Sequence, residues 1–105
     1  MLVYLDDLRD TPEGWVRAYT VPELIDIFRE HASEITHMSL DHDLGYNQKS
    51  GYEFMRWLEI QVSAGKFNKI PNIEFHTANP VGRDQMELVL QSIKRILHGR
   101  NHAES

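Results

Sequence analysis

The stretch Leu2-Val-Tyr-Leu-Asp-Asp7 is four apolar residues that run directly into two carboxylates. A short unbroken apolar run suits a strand buried on both faces, as in a parallel sheet. The pattern recurs twice: Ile35 to Leu40 ends at Asp41-His-Asp43, and Ile73 to Phe75 ends at His76-Thr77. Trp15 to Tyr19 reads as a further strand, reached from the first through turn chemistry too short for a helix. Thr20-Val-Pro-Glu23 is a capping box, with Pro22 tolerated in the first turn. Val21, Leu24, Ile25 and Phe28 then recur at helical spacing, to about Ala32.

Ser50-Gly-Tyr-Glu53 reads as a second capping box, opening a helix with Phe54, Met55, Leu58 and Val62 on its inner face and Gly65 at its end. Asn79 caps a third helix with Pro80 at its first position. Its stripe is Met86, Val89, Leu90, Ile93, Ile96 and Leu97. Gly99 is expected to stop it, leaving about 99–105 as a frayed tail. Trp15, Trp57, Phe54 and Phe75 read as core. Strands alternating with helices predict one α/β domain over residues 1–105, with a short parallel sheet of about four strands, flanking helices and right-handed crossovers.

Composition narrows the function. A chain of 105 residues allows one domain, and 41% hydrophobic with 26% charged residues is ordinary for a soluble one. No apolar run approaches the ~20 residues of a membrane span, and the N-terminus lacks the basic segment of a signal peptide. No membrane association and a cytoplasmic location are the default expectations. The absence of cysteine excludes disulfides and thiolate zinc sites. A net charge of −5 argues against broad duplex DNA binding. It leaves room for a small phosphate-bearing ligand, because a metal ion and a few arginines can reverse the sign locally.

In an open parallel sheet, ligands bind outside the carboxyl ends of the strands. The three polar clusters are therefore expected to converge on one edge. Carboxylates held together repel unless a cation or a shared proton compensates, and hard oxygen ligands suit Mg²⁺ or Mn²⁺. Asp6, Asp7, Asp41 and Asp43 are the expected metal ligands. His76 and His42 are candidate proton-transfer groups, since an imidazole titrates near pH ~6.5. The plainer readings are a hydrogen-bonded core histidine and an exposed loop histidine. Asn79-Pro-Val-Gly-Arg83 opens a helix just after the third cluster, where unpaired N–H groups favour an anion. Gly82 would admit a ligand close to the backbone, and Arg83 and Arg9 would add guanidinium contacts to phosphate. The plainer readings are an ordinary Asn79-capped helix with a solvent-facing Arg83, and a salt bridge of Arg9 to Asp10 or Glu13. No Ser-His-Asp arrangement, Walker loop or dinucleotide glycine motif is legible.

Asp6-Asp7, Asp41 and Thr77-Ala78 resemble the acidic pair, the phosphoacceptor and the switch residues of two-component receiver domains, a likeness that runs from residue 2 to about 97. Two features depart from that pattern. The first helix is reduced to a turn, and no fifth strand with its lysine follows the last helix. The chain more closely resembles the cyclic-phosphate-processing receiver-like family. The motifs are Leu5-Asp-Asp-Leu-Arg9 with Pro12 and Gly14-Trp15, Ser39-Leu-Asp-His-Asp-Leu-Gly45, and His76-Thr-Ala-Asn-Pro-Val-Gly-Arg83 with Met86. The resemblance implies a truncated receiver-like, flavodoxin-like fold. It also implies a metal-dependent phosphoesterase acting on a cyclic or terminal phosphate of RNA or a nucleotide. Asp41, His76 and His42 would be its catalytic residues, and Thr77 and Asn79 would join Arg9, Gly82 and Arg83 around the phosphate. The alternatives are a cyclic-nucleotide-binding module without turnover and a degenerate receiver acting through protein contacts.

Overall fold

The computed structural model describes residues 1–42 and 50–104, with side chains up to residue 100. The described elements are β1 (Leu2–Leu5), β2 (Trp15–Ala18), α1 (Val21–His31), β3 (His37–Leu40), α2 (Gly51–Ser63), β4 (Asn72–Phe75) and α3 (Pro80–Glu104). All strand pairs are parallel, in the order β2-β1-β3-β4. This is the short parallel α/β sheet expected, with the apolar run of β1 at its centre.

The crossovers explain the layering. From β2 through α1 to β3, and from β3 through α2 to β4, the chain steps across the sheet in one direction. Right-handed connections then place both helices on one face, and α3 packs beside α2 on that face. Val3, Leu5, Ala18, Met38, Leu40, Ile73 and Phe75 bury themselves against this layer, opposite Leu24 and Phe28 of α1, Phe54, Met55 and Leu58 of α2, and Met86, Leu90 and Ile93 of α3. Phe28 centres an aromatic cluster, meeting Phe54, Phe67 and Trp57 edge-on at 5.8, 5.0 and 6.0 Å.

The step from β1 to β2 runs the other way and carries only a turn. Among the described residues no helix covers the second face, yet β1 is buried on both faces as expected, with only Leu2 partly exposed. Tyr4 and Ser39 point to this face and are still buried, Tyr4 by the rings of Trp15 and His76. Trp15 itself lies on this second face and is only half-buried. It is not part of the core, contrary to its reading from hydrophobicity. None of the described helices is long and apolar enough to cross a membrane.

The helix ends follow local chemistry. Thr20 Oγ1 accepts the Glu23 N–H at 3.3 Å, and Glu23 Oε2 accepts the N–H of Tyr19 at 3.0 Å. This closes the first capping box one residue further out than the usual form. The second box does not form. Ser50 makes no side-chain cap bond. The entry to α2 is set instead by the Gly51 N–H, which donates to the His42 carbonyl at 3.1 Å. At the other end Gly65 takes φ +79°, with Gly65 N–H on Val62 O and Lys66 N–H on Gln61 O at 3.0 and 2.9 Å. That is a Schellman stop. Gly99 does not act this way: α3 continues through it to Glu104. A glycine weakens a helix interior without breaking it. Arg100 one residue on donates to the Ser63 carbonyl at 3.1 Å and ties this turn to α2.

Two glycine substitutions test these assignments by urea denaturation. A Cβ on Gly51 would run into the Asp41 carbonyl oxygen and crowd Met86 Sδ. Gly51→Ala should therefore destabilise by about 1–3 kcal/mol or more. A Cβ on Gly99 meets nothing within 4 Å. Gly99→Ala should stabilise by about 0.5–1 kcal/mol if residue 99 is helical, and destabilise if it is a left-handed helix end.

Candidate functional site

The last residues of β1, β3 and β4 lie side by side: Leu5 pairs with Leu40, and Leu40 with Phe75. The ladder extends one step further, with Asp41 N–H on Leu5 O at 3.0 Å and His76 N–H on Leu40 O at 3.1 Å. Asp6, Asp41 and His76 therefore leave the sheet at one level. One carboxylate oxygen from each acid and one ring nitrogen of His76 lie within 4.8 Å of one another. The edge convergence expected from the sequence is realised for these residues.

Asp6 is the centre of the corner and is 1% exposed. Its Oδ1 accepts the N–H groups of Leu8 and Arg9 at 2.8 and 2.9 Å, and its Oδ2 meets His76 Nε2 at 2.9 Å. Burial pushes the Asp6 carboxyl up. The N–H bonds from Arg9 and Leu8, with the His76 ring, outweigh that and hold it below its ordinary value of 3.8. His76 is fixed from three sides. Its Nδ1 lies 2.7 Å from Ser39 Oγ, its Nε2 is on Asp6, and its ring stacks on Tyr4 with centroids 4.2 Å apart and planes 5° from parallel.

A Ser39–His76–Asp6 string therefore exists, although none is legible in the sequence, because it is assembled across three strands. It is not a nucleophile arrangement. Ser39 sits within β3, is 5% exposed and faces Nδ1; its role is to orient the ring. The signal available in the sequence was strand alternation, which puts Ser39 and Asp41 on one side.

Other candidates are placed differently. Asp7 is not in the corner cluster; its Oδ1 is buried and has no hydrogen-bond partner among the described residues. Asp43 lies outside the described residues. Arg9 Nη1 donates to the His76 carbonyl at 2.8 Å and its Nε lies 3.8 Å from Asp6, so it serves the corner rather than Asp10 or Glu13. Arg17, not singled out by sequence reasoning, donates from Nε to the Asp6 carbonyl at 3.0 Å.

The start of α3 is an Asn-capped helix. Asn79 Oδ1 accepts the Gly82 N–H at 3.0 Å, and Thr77 Oγ1 accepts the Asn79 N–H at 3.2 Å. Arg83 Nη2 donates to the Thr77 carbonyl at 3.0 Å. The Gly82 N–H is thus already engaged. The missing side chain of Gly82 makes room for the His42 ring, whose Cγ would lie 2.5 Å from a Cβ there. A cleft of about 300 Å³ beside this turn is lined by Thr77, Ala78, Pro80, Arg83 and Asp84. A slightly larger one, about 330 Å³ between Ala32 and Lys69, lies at the amino ends of the strands and holds no acid or histidine. Neither cleft is lined by Asp6, Asp41 or His76; the 300 Å³ cleft is the one that contains Arg83 and Thr77.

The lowered Asp6 carboxyl predicts a pH dependence in metal-free buffer. Because the folded value lies below the unfolded one, the charged form contributes stability that is complete above 3.8 and is lost as pH falls through the folded value. Denaturation midpoints measured with chelator from neutral to strongly acidic pH should show this loss. Asp6→Asn should be less stable at neutral pH and should lack that part of the acid dependence.

The model of the cyclic-phosphate processing receiver domain matches residues 1–92, from β1 well into α3. No curated protein and no solved structure matches the chain. The matched span takes in the whole four-stranded sheet and the corner formed by Asp6, Asp41 and His76. The chain belongs to the cyclic-phosphate processing receiver domain family.

Proposed function

We propose that this protein is a metal-dependent phosphoesterase that hydrolyses a cyclic or terminal phosphate ester of RNA or a nucleotide. The observation that carries the reading is the approach of two carboxylates and an imidazole within 4.8 Å at the carboxyl edge of a parallel sheet. That donor set fits Mg²⁺ or Mn²⁺. The buried Asp7 Oδ1, without a partner among the described residues, supplies a further acceptor nearby in the chain. Asp6 and Asp41 would hold the ion, with Asp7 and Asp43 as further candidate carboxylates and His76 beside them for proton transfer; a bound ion would supply Lewis acidity and a more acidic water.

In the reaction a water oxygen bonds to phosphorus, one ester P–O bond breaks, and the leaving oxygen takes up a proton. His76, held by Ser39 and Tyr4, and His42, packed on Gly82, are the candidates for moving that proton. Arg9 and Arg83 each commit one guanidinium nitrogen to a backbone carbonyl and retain other N–H groups for phosphate oxygens. Asn79 and Thr77 keep the turn beneath them in shape.

A panel of cyclic and terminal phosphate esters, assayed with and without Mn²⁺, tests the reading. The ion should raise the melting temperature of the wild type and not of Asp41→Asn. His76→Ala should lower turnover by about 10²–10⁴-fold. Arg83→Ala should weaken ligand binding by about 1.5–3 kcal/mol. Stoichiometric binding without turnover would convert the reading to a binding module, and a protein partner retained by Asp41→Asn would favour a degenerate receiver.

A further inference from the structure

Along β2, strand alternation puts Trp15, Arg17 and the following Tyr19 on the second face of the sheet. Tyr19 is 51% exposed and Trp15 is half-buried. The Arg17 guanidinium lies over the Tyr19 ring, 4.5 Å from its centroid. Trp15 meets Tyr4 edge-on at 5.9 Å, and Tyr4 stacks on His76. Arg17 is in turn bonded to the Asp6 carbonyl. Two sets of planar groups thus lie on this face, His76 with Tyr4 and Trp15, and Arg17 with Tyr19, the second directly beside Asp6. The core lies on the other face, and the phosphate chemistry does not use Tyr19.

Flat rings beside arginines are the chemistry that receives nucleobases and the phosphates between them. Arg9 and Arg17 each reach a backbone carbonyl at the corner, of His76 and Asp6 respectively, so two guanidinium groups stand between the corner and Tyr19. Adjacent strands are only about 4.8 Å apart, so a nucleotide with its phosphate at the corner has its base over the neighbouring strand.

We propose that the second face of the sheet is a stacking platform, centred on Tyr19 with the Arg17 guanidinium, for the base of a nucleotide whose phosphate lies at the Asp6–Asp41–His76 corner. The substrate class is then a nucleoside phosphate, free or at the end of a single-stranded RNA, and not a base-less phosphate ester. The inference rests on the assignment of phosphate chemistry to that corner.

The test compares a nucleoside 2′,3′-cyclic phosphate, the matching ribose cyclic phosphate without a base, and a short single-stranded RNA carrying the same end. Binding is followed by calorimetry and tryptophan fluorescence, and turnover is measured with Mn²⁺. The nucleotide should bind about tenfold or more tighter than the base-less ester, and Tyr19→Ala should remove most of that advantage. Tyr19 is 51% exposed, so its substitution leaves the core intact. Tighter, salt-sensitive binding of the RNA identifies an RNA end as the source, and equal binding identifies a free nucleotide; either supports the platform. Equal binding and turnover of the base-less ester would overturn the platform and leave the corner chemistry standing. If no ester is turned over, the corner assignment fails. The platform then survives only if nucleosides and unphosphorylated RNA still bind in a Tyr19-dependent way. A stable dimer in sedimentation that Tyr19→Ala dissociates would show this face to be a protein interface and overturn the proposal.

Discussion

A carboxylate shut away from solvent must find donors or give up its charge. Asp6 finds them in its own loop, from Leu8 and Arg9, and across the sheet, from His76 just past β4. One side chain therefore closes the turn that replaces a helix and sets the direction of Arg9. It also draws a residue from beyond β3 over the end of the sheet. Ser39 and Tyr4 complete the constraint on His76 from below and from its face. The corner is rigid because each of its groups satisfies another, and its acid chemistry is continuous with the hydrogen bonds that hold the strand ends together.

The second constraint is topological. A sheet whose described helices all lie on one face keeps a hydrophobic core on that side and leaves the other side to serve a different purpose. Here the uncovered side carries Trp15, Arg17, Ser39 and Glu74 rather than the aliphatic residues of the opposite face. Tyr4 is the residue common to structure and site. It is buried at the centre of the sheet, yet its neighbours are the ring of His76 and the edge of Trp15.

What could be read from the sequence was what is local. Apolar runs ending at Asp6, Asp41 and His76 revealed the strands and their shared edge, and Thr20 and Asn79 marked helix starts by their own side-chain bonds. What stayed hidden depends on partners distant in the chain. Hydrophobicity alone cannot say which face of β2 a helix covers, so Trp15 read as core. Ser50 looked like a cap, but the contact of Gly51 with the His42 carbonyl fixes the helix entry instead. Gly82 looked like space for a ligand and holds the His42 ring. The bonds of Ser39 and Asp6 to His76 join β3 and β1 to β4, and no spacing within one segment announces them.

The near-parallel stack of Tyr4 on His76, with planes 5° apart, has a spectroscopic consequence. Imidazole protons held above the face of a phenol ring lie in its shielding region, so the carbon-bound protons of His76 should resonate well upfield of those of the other histidines. The corner therefore carries its own reporter. Any ion or phosphate that moves Asp6 must shift the ring bonded to it, and a single resolved pair of signals would register occupancy of the site without a label.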